Sequence, residues 1–203
     1  MKLTNLIILS VTLTVVTSNA QLTLINFDEF DTSSGRVRIP NGYNGLNWSN
    51  FFAFHQVGSQ ANGFVTGVIS PLNDAFNGGG VPADISSTAP FSLESGYFTA
   101  AYNNGLSLEV QGYNGNTLLY DQTYTLNVAG PSYIVFNFSD ITDAHFISSG
   151  GVEVGLGSGY YFAVDNLTIA PVPEPSTLGL AGLSCLSLLL YVRKAVGPES
   201  LQD

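Results

Sequence analysis

The sequence holds a single cysteine, Cys185, and only five basic side chains against fifteen acidic ones. One cysteine excludes an intrachain disulfide framework and a cysteine-based zinc site. Five cations in a chain of formal net charge −10 leave no electrostatic footprint for a phosphate backbone, which excludes nucleic acid as a partner. Charged residues are scarce at 10% while hydrophobic ones reach 45%, and disorder requires the reverse combination. The two histidines, His55 and His145, show no HxH or HExxH spacing for zinc. No serine occupies a G-x-S-x-G elbow. Gly155-Leu156-Gly157-Ser158-Gly159 lacks the third spaced glycine and the helix of a dinucleotide motif. What is abundant is glycine, with 22 residues, and aromatic side chains, at 12%. With Asn, Ser and Thr, these give the composition of an exported β-protein.

Both ends carry addressing features. Lys2 supplies a positive start, Leu3 to Val16 is apolar, and Ser18 and Ala20 place small residues before a mature chain beginning at Gln21. That is the layout of a secretory signal peptide over residues 1–20. At the other end, Pro171 to Thr177 is a Pro-rich segment that cannot continue a strand or a helix. The uncharged apolar stretch Leu178 to Val192 follows, then Arg193 and Lys194. A helix over 178–192 would cover about 22 Å, short of the roughly 30 Å hydrocarbon core. The basic pair would stay cytoplasmic, leaving residues 21–172 outside the cytoplasmic membrane.

The segment VPEPSTLGLAGLSCLSLLLYVRKA resembles the PEP-CTERM sorting signal of Gram-negative bacteria. Pro173, Glu174 and Pro175 match its motif, and Arg193 with Lys194 match its basic cluster. The resemblance implies recognition by an exosortase, a membrane-embedded cysteine transpeptidase, transient anchoring through the C-terminal transmembrane helix, and release or transfer at the cell surface. It also implies an association with biofilm and exopolysaccharide. Nine residues, Ala195 to Asp203, follow the basic pair, more than this pattern usually has. A GPI signal would end in its apolar stretch, and no LPxTG-type motif is present. An ordinary single-pass anchor stays open as an alternative, and Cys185 reads as a small apolar filler.

Residues 21–172 have the size of one domain. This segment carries Arg36, Arg38 and twelve acidic residues, so it holds the whole net charge of −10. Leu106, Leu108 and Val110 alternate with polar residues, as do Ile134, Phe136 and Phe138 with Tyr133, Val135 and Asn137. Such period-2 patterns predict half-buried strands. Further β-rich runs are 22–27, 48–55, 64–69, 91–102, 117–126 and 160–169. Asn-Gly pairs at 41, 44, 62, 77, 104 and 114 supply turns. The fold class expected is all-β: an antiparallel, jelly-roll-like β-sandwich between the signal peptide and the C-terminal helix. INFDEF at 25–30, IPNGYNGLNWSNF at 39–51 and YFAVDNLTI at 161–169 are similar to segments of β-sandwich ectodomains that precede such sorting signals.

Asp28, Glu29 and Asp31 with Asp165 are the candidate metal ligands, because the first and last strands of a jelly roll are commonly neighbours. Hard oxygen ligands without cysteine favour Ca²⁺, in a stapling role. Aromatic side chains can stack on sugar rings; Tyr43, between two Asn-Gly turns, and Tyr113 are the candidate ligand-binding residues. Trp48, inside Leu46 to Phe52, is expected in the core. Asn47, Asn137 and Asn166 head coincidental N-x-[ST] sequons. The sequence favours a non-enzymatic exported protein of the cell surface or matrix. The alternative is a carbohydrate-binding module for exopolysaccharide, Ca²⁺-stabilised, and a third reading is a small glycan-active enzyme with two acids across a groove.

Overall fold

The computed structural model describes residues 21–56 and 62–171. The expected signal peptide at 1–20 and sorting tail at 173–203 lie outside the described residues.

Alternating side chains build the strands as the periodicity predicts. In β8 (Leu106–Asn114) the apolar positions are buried and Ser107, Glu109 and Gln111 are partly exposed. In β10 (Ser132–Ser149) Ile134, Phe136 and Phe138 are buried while Tyr133, Val135 and Asn137 face out. The molecule is an antiparallel β-sandwich. One layer holds β2 (Val37–Arg38), β4 (Phe51–Phe54), β5 (Asp74–Asn77) and β12 (Phe162–Pro171), with β1 (Thr23–Ile25) paired to β12. The other holds β3 (Asn47–Ser49), β8 and β9 (Thr117–Leu126), while β7 (Asn103–Asn104) and β11 (Val152–Glu153) pair in a separate two-stranded sheet.

Two long strands connect the layers. β6 (Ala83–Ala100) pairs with β3 through Asp84–Ser86 and with β12 through Phe91–Ala100. β10 runs beside it, with register shifts between Val135 and Phe138, Phe138 and Ile141, and Ile141 and Asp143. Asn137 (φ 52°) and Asp140 (φ 60°) sit at these irregularities in the left-handed region, which short polar side chains tolerate. Such bulges bend a strand, so each long strand passes from one layer into the other. The sequon at Asn137 thus marks a corner of the sandwich.

Between the layers, Phe27, Trp48, Phe51, Phe98, Phe146 and Phe162 form a continuous buried cluster. Their rings meet mostly edge to face, for example Trp48 with Phe51 at 5.3 Å and Phe51 with Phe146 at 5.7 Å. Trp48 is buried, as expected from sequence.

One predicted strand is absent. Within 64–69 the chain instead makes a single helical turn, α1 (Gly63–Thr66). The Asn62 side chain caps it by accepting from the Phe64 N–H at 3.2 Å. The Gly63 N–H donates to Ala101 O, and a Cβ on Gly63 would stand 2.0 Å from Ala100 O. Glycine therefore lets this turn lie directly on the end of β6.

Candidate functional site

The outer face of the β4-β5-β12-β6 layer carries a second apolar cluster: Phe64, Phe76, Ala101 and Ala163, with Phe52, Phe54, Tyr102 and Tyr161 packed against it. Phe64 from α1 meets Phe54 at 5.7 Å and Tyr102 at 5.6 Å, both edge to face. Tyr102 stays half-buried, and burial with the neighbouring Tyr161 raises its phenol pKa above the ordinary value. Arg36 lies over the Phe52 ring at 5.2 Å, a cation–π contact at the rim.

Beside these rings runs the acidic loop that follows β1. Buried Asn73 fixes it. The Asn73 amide nitrogen donates to Phe27 O at 2.9 Å and to Phe30 O at 3.0 Å. Its side-chain oxygen accepts from Thr32 Oγ1 at 2.8 Å, and its backbone N–H donates to Asp28 Oδ1 at 3.0 Å. Asp31 accepts from the Ser33 N–H at 3.1 Å, and Ser33 holds its carboxyl below the ordinary aspartate value. The His55 ring bonds Leu72 O at the end of β4.

Loop and rings enclose an open cleft of about 880 Å³. Asp28, Glu29 and Asp31 line it from the loop, and Phe54, Phe64 and Tyr102 from β4, α1 and the segment just past the end of β6. Among the described residues its carboxylates all come from one loop; the elements that supply the rings add no acid to the lining.

Two further carboxyls lie under the segment that follows α1. β5 and β12 pair Ala75 with Val164, and continuing that register sets Asp74 beside Asp165. Both are fully buried. Asp165 accepts from the N–H groups of Ile69 (2.7 Å), Ser70 (2.8 Å) and Asn166 (2.7 Å), and from the Ser70 hydroxyl at 3.0 Å. Burial raises the Asp165 pKa above the ordinary value, these donors oppose the shift, and they clamp residues 69–70 onto the sheet. Among the described residues neither Asp74 oxygen has a hydrogen-bond partner. Burial, then the charge of Asp165, push the Asp74 pKa well above the ordinary value. Asp74, which has no donor, carries the larger upward shift of the two.

The candidate metal ligands are not brought together. Asp165 spends its oxygens on residues 69, 70 and 166, Asp28 accepts from Asn73, and Glu29 is exposed. Among the described residues no group of three or more His, Cys, Asp or Glu side chains is placed to hold a metal ion. The neighbour rule itself holds, since β1 pairs with β12. What intervenes is the segment from Ile69 to Asn73, whose N–H groups reach the carboxylates first.

The expectation of an exposed Tyr43 is corrected. Its ring packs on Phe30 at 4.8 Å and Trp48 at 5.9 Å, and its hydroxyl is buried. Burial and the nearby Glu29 raise its pKa. The 3₁₀ turn Tyr43–Gly45 folds the ring inward, and the Tyr43 carbonyl accepts from the Trp48 indole at 2.9 Å. Tyr113 stays half-exposed on the outer face of the other layer, 5.0 Å from the His145 ring, with its hydroxyl donating to Gln111 at 2.8 Å. His145 pairs with Asp84 at 2.9 Å.

Residues 171–194 match the family described as the PEP-CTERM protein-sorting motif. The chain carries a PEP-CTERM sorting signal. It is thereby an exported exosortase substrate, passing through a membrane-anchored state by its C-terminal region. The motif residues Pro173, Glu174, Pro175, Arg193 and Lys194 fall within the match and outside the described residues. The PEP-CTERM signal starts on the last residue of β12, since Pro171 still pairs with Phe91. Among curated proteins, none matches the chain. A solved structure, the TmCBM61 module in complex with β-1,4-galactotriose, overlays with a TM-score of 0.34 and 8% identity, covering 66% of this chain and 95% of that one.

Asn73 and Asp74 escaped sequence reading. An Asn-Asp pair before Ala75-Phe76 reads as an ordinary turn, and only the cross-strand register shows what each side chain meets.

Proposed function

We propose that the exported domain is a non-enzymatic, glycan-binding module of the cell surface or extracellular matrix, delivered by its PEP-CTERM signal. The observation that carries this is the two-sided character of the cleft. Ring faces of Phe54 and Tyr102 and the polar groups of the 28–33 loop line the same space. A pyranose has an apolar C–H face and a hydroxyl rim, and such a cleft offers a surface to each. Hydrolysis calls for two carboxyls flanking the scissile bond, and the origin of the cleft's carboxylates in one loop supports the non-enzymatic reading. The buried acid with the strongly raised pKa, Asp74, does not line the cleft. The pairing of first and last strands supports the jelly-roll type, and Leu178 to Val192 serves as the transient membrane anchor.

The test is calorimetry of the full chain against a panel of neutral and acidic polysaccharides, with and without Ca²⁺. Wild type binds a neutral polymer, and Tyr102→Ala weakens it about tenfold or more, the equivalent of ~1.4 kcal/mol. No binding to any polymer in either condition overturns the proposal.

A further inference from the structure

Past the cleft, the outer face of the first layer carries an interrupted strip of exposed apolar side chains, on either side of half-buried Thr168 and buried Ser95. Leu24 of β1 lies beside Thr168 of β12, Thr168 beside Ser95 of β6, and Ser95 beside Val135 of β10. In the next row Tyr97 lies beside Tyr133, their rings 4.9 Å apart. Leu22 and Leu24 are each 62% exposed, Tyr133 58% and Val135 51%. Strands β1, β6 and β10 and the residue before β1 thus present leucine, valine and tyrosine to solvent, in a domain whose solubility rests on carboxylates and amides.

The position of the strip in the chain says what covers it. The strip straddles β12, and the PEP-CTERM signal begins on the last residue of that strand. From Thr168 to Pro171 is about 10 Å of strand. The segment from Val172 to Thr177, ahead of the apolar stretch, spans at most about 20 Å when fully extended. In the membrane-anchored state this tether keeps the strip within reach of the lipid surface. Tyrosine and leucine are suited to the boundary between headgroups and acyl chains. The short tether raises the local lipid concentration, so weak partitioning suffices.

We infer that, before processing, the Leu22, Leu24, Tyr97, Tyr133 and Val135 face docks on the outer surface of the membrane that holds the tail. Charge sets the lipid preference. With a net charge of −10 the domain is repelled by anionic headgroups, so docking favours a zwitterionic surface. The inference rests on the sorting signal and is independent of glycan binding.

The experiment is hydroxyl-radical footprinting of the full chain reconstituted through its tail into phosphatidylcholine vesicles. Tyr160 serves as the internal reference: it is 47% exposed and stands before β12, at the end away from the tether. The expected result is that Tyr133 and Leu24 label several-fold less than Tyr160 after correction for exposure and intrinsic reactivity. Protection should weaken when phosphatidylglycerol is added. It should weaken again when a flexible Gly-Ser insert of about 20 residues follows Val172. Equal labelling of Tyr133 and Tyr160 in phosphatidylcholine overturns the inference. So does protection that grows with protein density in the vesicle, which would identify a second copy as the occupant, or protection unchanged by the insert.

Discussion

At the scale of single residues, the buried Asp74–Asp165 pair has the clearest physical consequence. Asp165 is satisfied by neighbouring donors; Asp74 meets none and is neutral only while protonated. Its folded-state pKa lies well above the ordinary value of 3.8. The stability tied to it is therefore complete below that value and is lost as pH rises through the folded pKa. Asp74→Asn keeps the shape and removes the ionisation. The variant should be more stable than wild type at pH 7. Urea denaturation from pH 4 to pH 8 checks this, and the gap between the two proteins should widen with pH. Little of this was legible in the sequence. Asp165 stood out because it follows the apolar run of the last strand, whereas Asp74 looked like one turn acid among twelve acids in the domain. Its partner is 91 positions away, and only strand pairing reveals it.

At the scale of elements, α1 shows where local pattern and tertiary packing part. The run from Phe64 to Ile69 has the β-branched and aromatic content of a strand. It forms a helical turn because Asn62 caps it and because Gly63 lets its backbone lie against Ala100. Gly63→Ala should cost about 2–4 kcal/mol, because its Cβ would meet backbone that cannot yield. Thermal unfolding measures it, and loss of glycan affinity should accompany it, since Phe64 of the same turn lines the cleft. The strands of β8 and β10 were readable because a half-buried strand must alternate its side chains. That β10 is one eighteen-residue strand through both layers was not, because its corners at Asn137 and Asp140 look like the ordinary polar positions that end strands.

At the scale of the whole molecule, charge is the dominant constraint. Twelve carboxylates and two arginines share the domain, and burial removes Asp74 and Asp165 from its surface. Ion pairs cannot offset the mutual repulsion of the rest. Salt should therefore stabilise the domain: Tm is expected to rise from about 10 mM to about 150 mM NaCl as the Debye length falls from roughly 30 Å to 8 Å. Differential scanning calorimetry checks the sign, and a flat or falling Tm would contradict it. The same charge limits partners. It disfavours polyanionic glycans and anionic lipid, which agrees with a neutral polysaccharide in the cleft and a zwitterionic surface under the tyrosine strip.

The sequence alone determined the addressing signal, the β-class of the domain and its acidity. Motif order, side-chain alternation and net charge are properties of a chain read in one dimension. Tertiary structure decided the site. It half-buried Tyr43 against Trp48, used Asp165 to clamp residues 69–70, and gathered the 28–33 loop, Phe54, Phe64 and Tyr102 around one cleft. Those outcomes depend on which strands become neighbours, and that choice is made by burying a shared core rather than by any local pattern.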